Sequence, residues 1–173
     1  MTYQRKFETI DWKTKKHEPE DMERNQCASL LDQEINFIGQ LVVEFDQLAQ
    51  YDDVLTAPEH LLSLATLFND FMERIHRALK YLRLYEKTGN PPLKENDPLK
   101  NIQGDTFSSV FQDDTLTELG AFLNYRQKFP EIYPDKINAE ELIQLFHQFT
   151  PAAENVARDL RELSRKLREN HAR

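Results

Sequence analysis

Apolar residues recur at intervals of three and four along most of the chain, and nothing constrains its fold more. Over residues 20–50 the series Cys27, Leu30, Leu31, Ile35, Ile38, Leu41, Val42, Phe45, Leu48 and Ala49 keeps one face of a helix apolar along its length. A second series, Leu61, Leu64, Ala65, Phe68, Phe71, Met72, Ile75, Leu79 and Leu82, has the mean spacing of about 3.5 residues that lines a bundle seam. No segment alternates apolar and polar residues as a half-buried strand does, and no internal repeat is present. Such stripes are buried by packing on one another, so the sequence predicts an all-α fold, an antiparallel four- to five-helix bundle.

Local signals predict where the helices begin and end. Thr56-Ala-Pro-Glu59, Thr115-Leu-Thr-Glu118 and Asn138-Ala-Glu-Glu141 each place a capping side chain three residues before a glutamate, which predicts three helix starts. Gly89 and Asn90-Pro91-Pro92 end the second helix. The third runs to about Phe129, before Pro130 and Pro134. The last carries Leu142, Ile143, Leu145, Phe146 and Phe149, and its stripe continues through Val156, Leu160, Leu163 and Leu167. Pro151 either kinks that helix or opens a new one. Between the second and third helices lies a long polar linker over 88–114, in which only Phe107, Val110 and Phe111 can anchor to a core. A basic N-terminal arm over 1–19 thus precedes a single helical-bundle domain over 20–170.

Composition then excludes several classes of function. With 173 residues the chain suffices for one hydrophobic core. Its single cysteine, Cys27, rules out an internal disulfide framework and a zinc site built on paired thiolates. Four glycines and no phosphate-cradling motif argue against a nucleotide-binding loop. No run approaches the ~18 apolar residues of a membrane span, and the N-terminus lacks an apolar signal core, so a soluble, cytoplasmic protein is expected. The net charge is −8 and unevenly spread. Residues 1–17 carry five basic side chains against Glu8 and Asp11, and residues 155–173 six against Asp159, Glu162 and Glu169. The body between is therefore strongly acidic and repels a phosphate backbone; only the two ends would attract one.

Few constellations suggest catalysis. Glu73-Arg-Ile-His76 is the E-x-x-H half of a carboxylate-bridged di-iron site, but no second copy exists. Met72 and Ile75 mark the core side, so Glu73 and His76 are expected on the flank, and no metal or cofactor is expected. His17, His60, His147 and His171 lack ligand spacing. Cys27 lies on an apolar stripe, which predicts a buried, inert thiol.

The segment Asn124-Tyr-Arg-Gln-Lys-Phe-Pro-Glu-Ile-Tyr133 is the most informative. Arg126 at a helix end can clamp a phosphate through two parallel hydrogen bonds, and Tyr133 offers a hydroxyl and a stacking face. Equally, Arg126 can pair with Glu118 or Glu131 while Tyr133 packs into the bundle end.

Here the chain resembles the HepT-like branch of the HEPN superfamily, small helical bundles that act as ribonucleases in toxin–antitoxin pairs. Residues 67–79, LFNDFMERIHRAL, are similar to its aromatic-rich second helix, and residues 125–138, YRQKFPEIYPDKIN, align without a gap to its pattern FRHvvRHaYgfeLD. The likeness spans about residues 27–165. It implies a catalytic Arg and His within R-x4-6-H, often extended to H-x-Y, in a cleft formed by a homodimer. Arg126 and Tyr133 fall on the Arg and Tyr positions, but Glu131 stands where the family has His. Arg126, Glu131 and Tyr133 are then the catalytic candidates, with Arg126 and Lys128 the RNA contacts. The resemblance also implies a cognate nucleotidyltransferase that adenylylates the tyrosine, here Tyr133. A glutamate can accept a proton but cannot donate one as an imidazolium, and its charge opposes a phosphate. Ribonuclease activity is therefore expected to be weak or absent. A formal R-x5-H at Arg165 and His171 sits at a chain terminus, a poor place for an active site.

Two readings follow. One is a catalytically degenerate HepT-like protein that acts through RNA or a nucleotidyltransferase around Arg126 and Tyr133. The other is a non-enzymatic helical-bundle adaptor that recognises a protein through its linker or basic ends.

Overall fold

The computed structural model describes residues 23–87, 110–128 and 138–172, and all four elements in these stretches are helices. We label them α1 (Arg24–Leu48), α2 (Pro58–Lys87), α3 (Asp113–Lys128) and α4 (Ala139–Ala172). Contacts along their length fix the direction of each. Phe45 of α1 meets Phe68 of α2, while Glu34, about three turns earlier, reaches forward to Arg74. Ser164 of α4 bonds Asp32 of α1, whereas Phe149 meets Phe45. Thr115 and Phe122 of α3 meet Asp159 and Phe149 of α4. Successive helices therefore run up and down, an antiparallel four-helix bundle. No helix among the described residues is long and apolar enough to cross a membrane.

The apolar stripes form its centre. Cys27, Leu31, Ile35, Ile38, Leu41 and Phe45 of α1 are buried against Leu64, Phe68, Phe71, Met72, Ile75 and Leu82 of α2, and α4 adds Phe149, Val156, Leu160 and Leu163. Five phenylalanines form a cluster. The Phe149 centroid lies 4.7 Å from Phe45, 5.6 Å from Phe68 and 5.2 Å from Phe71, and Phe122 meets Phe71 edge-on at 5.3 Å. Edge-to-face and tilted pairs each contribute about 0.5–1.5 kcal/mol beyond the area they bury. Ile143, expected on the stripe of α4, is instead 37 % exposed, because a single step past Leu142 rotates it off the core face.

The helix boundaries correct two expectations and bear out a third. Asn138 caps α4, its side-chain oxygen accepting from the N–H groups of Glu140 at 2.9 Å and Glu141 at 3.3 Å. Thr56 does not cap α2. Its hydroxyl donates to the Asp53 carbonyl in the preceding turn, and the helix opens at Pro58, with the Ala57 carbonyl accepting from His60 and Leu61. Proline carries no N–H to cap and its fixed φ already suits a first helical position, so it sets the boundary. Thr115 does not open α3 either. The helix starts two residues earlier, at Asp113, because the Thr115 hydroxyl is drawn into a buried contact with α4. Pro151 neither ends α4 nor begins a new helix: α4 is one element across it.

The described end of the linker is part of the packed domain. Val110 and Phe111 are buried in the core, and the Gln112 N–H donates to Asp159 at 3.0 Å. Phe107 and the rest of 88–109 lie outside the described residues.

Candidate functional site

Arg126 and Lys128 fall in the last turn of α3, while Glu131 and Tyr133 lie outside the described residues. What the fold does define is the surroundings into which that turn runs. Ala121, Asn124 and Tyr125 of α3 face Glu141, Gln144 and Leu145 of α4 across a depression of about 270 Å³. Tyr125 is buried there and donates its hydroxyl to the Ala65 carbonyl of α2 at 3.3 Å, which ties α3 to α2. Burial, and then the Glu141 carboxylate, push the Tyr125 phenol far above its usual range. The depression beside Arg126 is therefore lined by a carboxylate and by no described cation.

Apart from Arg126 and Lys128 in the last turn of α3, that local sign holds along this end of the bundle. Residues 41–73 contain seven acids, Glu44, Asp46, Asp52, Asp53, Glu59, Asp70 and Glu73, and not one lysine or arginine. Residues 110–125 and 138–157 contain no lysine or arginine either. The antiparallel fold brings the second half of α1, the first half of α2, most of α3 and the first half of α4 to the same end. Cations return at Arg74, Arg77, Lys80 and Arg83 of α2 and at Arg158, Arg161, Arg165, Lys166 and Arg168 of α4, toward the other end.

Four of the arginines join helices or their ends. Arg158 grips Asp114 of α3 with both terminal nitrogens, at 3.0 and 2.9 Å, and donates through Nε to Asp159 at 2.9 Å. Those bonds hold the Asp114 carboxyl below its usual range. Asp159 is 3 % exposed and also accepts from the Thr115 hydroxyl at 2.7 Å. Arg168 bridges to Asp32 of α1 at 2.7 Å, and Ser164 bonds the same carboxylate at 2.8 Å. Arg74 donates to Glu34 at 3.3 Å and lies 3.9 Å over the Phe37 ring. Glu34 is 2 % exposed, and burial pushes its carboxyl up against the opposing pull of Arg74. These are joints between helices.

Glu73 is half-buried and His76 exposed beside the buried Met72 and Ile75, as the spacing predicted. No group of three or more potential metal ligands exists among the described residues. Cys27 is buried, and desolvation pushes its thiol up to about 12.

Sequence reasoning missed an open groove between α1 and α2. Leu48, Leu62 and Leu67 supply apolar surface, with Tyr51 stacked on His60 at 4.3 Å, and Glu44, Gln47, Ser63, Thr66 and Asp70 complete its walls. The legible signal was the missing lysine and arginine over 41–73, which a count of net charge conceals.

Comparison of the chain with protein-family models, with curated proteins and with solved structures finds no match in any of the three.

Proposed function

We propose that the protein is a HEPN/HepT-like helical bundle that works by binding a protein partner and does not cut RNA. The observation that carries this reading is the sign of the charge around the last turn of α3. Every titratable side chain described around the adjoining depression is neutral or acidic, and the neighbouring stretches of α1, α2 and α4 contain no lysine or arginine. A phosphate approaching Arg126 meets a field that opposes it, whereas a basic protein surface is drawn in. In the sequence, Glu131 stands where the family pattern has histidine, and a carboxylate there cannot serve as the imidazolium acid of the family's cleavage.

The test pairs two measurements on the full chain. Purified protein is incubated with structured and unstructured RNA at low salt, and tagged protein is recovered from its host with whatever it binds. A stoichiometric protein partner is expected, with no RNA cleavage. Cleavage that disappears in Arg126→Ala, with the melting temperature unchanged, would overturn the proposal in favour of a HEPN-type ribonuclease. A partner with nucleotidyltransferase chemistry, or nucleotide mass on the Tyr133 peptide, would assign the chain to the HepT-like pairing.

A further inference from the structure

The groove between α1 and α2 has a composition that the bundle itself does not require. Tyr51 is 55 % and Leu62 42 % exposed, two of the few large apolar side chains left at the surface, and both face the same trough. Its volume is about 520 Å³. That lies within the ~300–1,000 Å³ of sites that hold a ligand, but the trough is open along its length, which suits a chain segment better than an enclosed small molecule.

Two carboxylates stand over this apolar floor, Glu44 on α1 and Asp70 on α2. Neither forms an ion pair or a hydrogen bond among the described residues. The nearest cation, Arg74, is one turn beyond Asp70 and is already committed to Glu34 and to the Phe37 ring. Elsewhere in this bundle Asp32, Glu34, Asp114 and Asp159 all have arginine partners. Other surface acids, Asp46, Asp52, Glu118, Glu140 and Glu154, are likewise without an arginine partner among the described residues; what sets Glu44 and Asp70 apart is their place beside exposed leucine and tyrosine.

The spacing indicates what fits. Glu44 and Leu48 are four residues apart on α1, with Tyr51 in the turn just beyond its end, and Ser63, Thr66 and Asp70 are separated by three and four residues on α2. The end of α1 with the turn that follows it, and the facing part of α2, thus each offer about two turns of one ridge. Two antiparallel ridges with a trough between them form the groove into which a third helix packs, read through anchors at i, i+3 or i+4, and i+7.

We propose that this groove docks a basic amphipathic helix of a protein partner. The helix lays its apolar side chains on Leu48, Tyr51 and Leu62, over the buried Leu67, and sets a lysine or arginine against each of Glu44 and Asp70. Seven acids without a cation over 41–73 steer such a helix in and repel an acidic one.

The probe is a labelled synthetic helix of about 18 residues, five turns, with leucines on one face and lysines on the other. Its companion carries glutamates in place of the lysines. The full chain is expected to bind the basic helix saturably and the acidic one not at all. Glu44→Gln with Asp70→Asn weakens binding about tenfold at low salt and less at high salt, and Leu62→Glu removes saturable binding. Leu62 is exposed, so that variant keeps the wild-type circular dichroism and melting temperature. Glu140→Gln with Glu154→Gln, which lowers the acidity of the same end outside the groove, leaves the affinity within about twofold, inside the scatter of near-neutral contacts.

Equal binding of both helices, or wild-type affinity in the groove variants, would overturn the proposal. So would a dimer of this chain that Leu62→Glu dissociates and the basic helix cannot displace, since the occupant would then be a second copy. The inference rests on the reading of the protein as a partner-binding bundle, and the two fail differently. RNA cleavage that depends on Arg126 sinks the reading, whereas a recovered partner whose binding ignores Leu62 sinks the groove alone.

Discussion

At the end of the bundle where α1 hands over to α2, five phenylalanines fill the core and the facing parts of α1 and α2 carry carboxylates with no lysine or arginine over residues 41–73. At the opposite end, where α1 begins and α2 and α4 finish, the core is Cys27, Ala28, Leu31, Leu82, Leu163 and Leu167 with one aromatic, Tyr85, under the Arg24 guanidinium, and the helices are tied by Arg168 with Asp32 and Ser164. Aromatic burial is non-directional and large, so it holds helices together without asking anything of their outer faces. A core that is small and aliphatic apart from Tyr85 has no such cluster of rings, and there polar side chains bridge the helices. The end held by its aromatic interior is the one whose Glu44 and Asp70 have no arginine partner among the described residues.

The comparison breaks most visibly if its interior half is wrong. Phe149→Ala empties the centre of the aromatic cluster and is expected to cost about 3–5 kcal/mol in urea unfolding, more than Leu163→Ala at the other end. Equal costs would remove the distinction. Next comes the joint between α3 and α4. Asp159→Ala strips an acceptor from Thr115, Gln112 and Arg158 at once, and leaving the buried Thr115 hydroxyl without that acceptor costs about 1–3 kcal/mol. Thr115→Val, which removes one donor of the set, should cost less.

Glu34 lies where acidic α2 gives way to basic α2, and it gives a signed pH test. Its carboxyl is raised in the folded chain, first by burial. The folded state therefore favours the protonated form more than the unfolded chain does. That contribution is present in acid and is lost as pH rises through the folded value. Glu34→Gln mimics the protonated form, so wild type and variant should melt alike near pH 4, about the ordinary carboxylate value. They should separate as pH rises toward neutrality, with the glutamine variant the more stable. A constant difference at all pH values would mean that Arg74 fully offsets the burial.

The quieter end sharpens the comparison through null effects. Cys27 is buried and its thiol held near 12, so it should resist a thiol reagent at pH 8 in the native protein and react once in guanidinium. Native reactivity would show that this end opens readily. Arg165 pairs only within its own helix, with Glu162 and Glu169, and is exposed. Arg165→Ala should leave the melting temperature unchanged at physiological salt.

Much of the fold was legible because the signals are local and repeated. Ile35, Ile38, Leu41 and Phe45 had to share one face of α1, since no other period fits their spacing. Asn138 was readable as a cap because its partners are the next two N–H groups along the chain. Thr56 and Thr115 carry the same local signature and were misread, one displaced by Pro58 and the other captured by a carboxylate 44 residues away. Of the candidate site, Arg126 and Lys128 were rightly placed at a helix end before Pro130, while Glu131 and Tyr133 lie outside the described residues.

By itself the sequence determined that four apolar stripes must pack together, and that residues 41–73 carry only negative charge. The tertiary structure alone decided which charges meet. Asp114 finds Arg158, Asp32 finds Arg168 and Glu34 finds Arg74, while Glu44 and Asp70 are left facing each other over Leu48 and Leu67. Periodicity is written along a chain, because each helix turn repeats the same geometry. Ion pairing and grooves arise between helices, and their partners are set by the register in which the core lets those helices slide together.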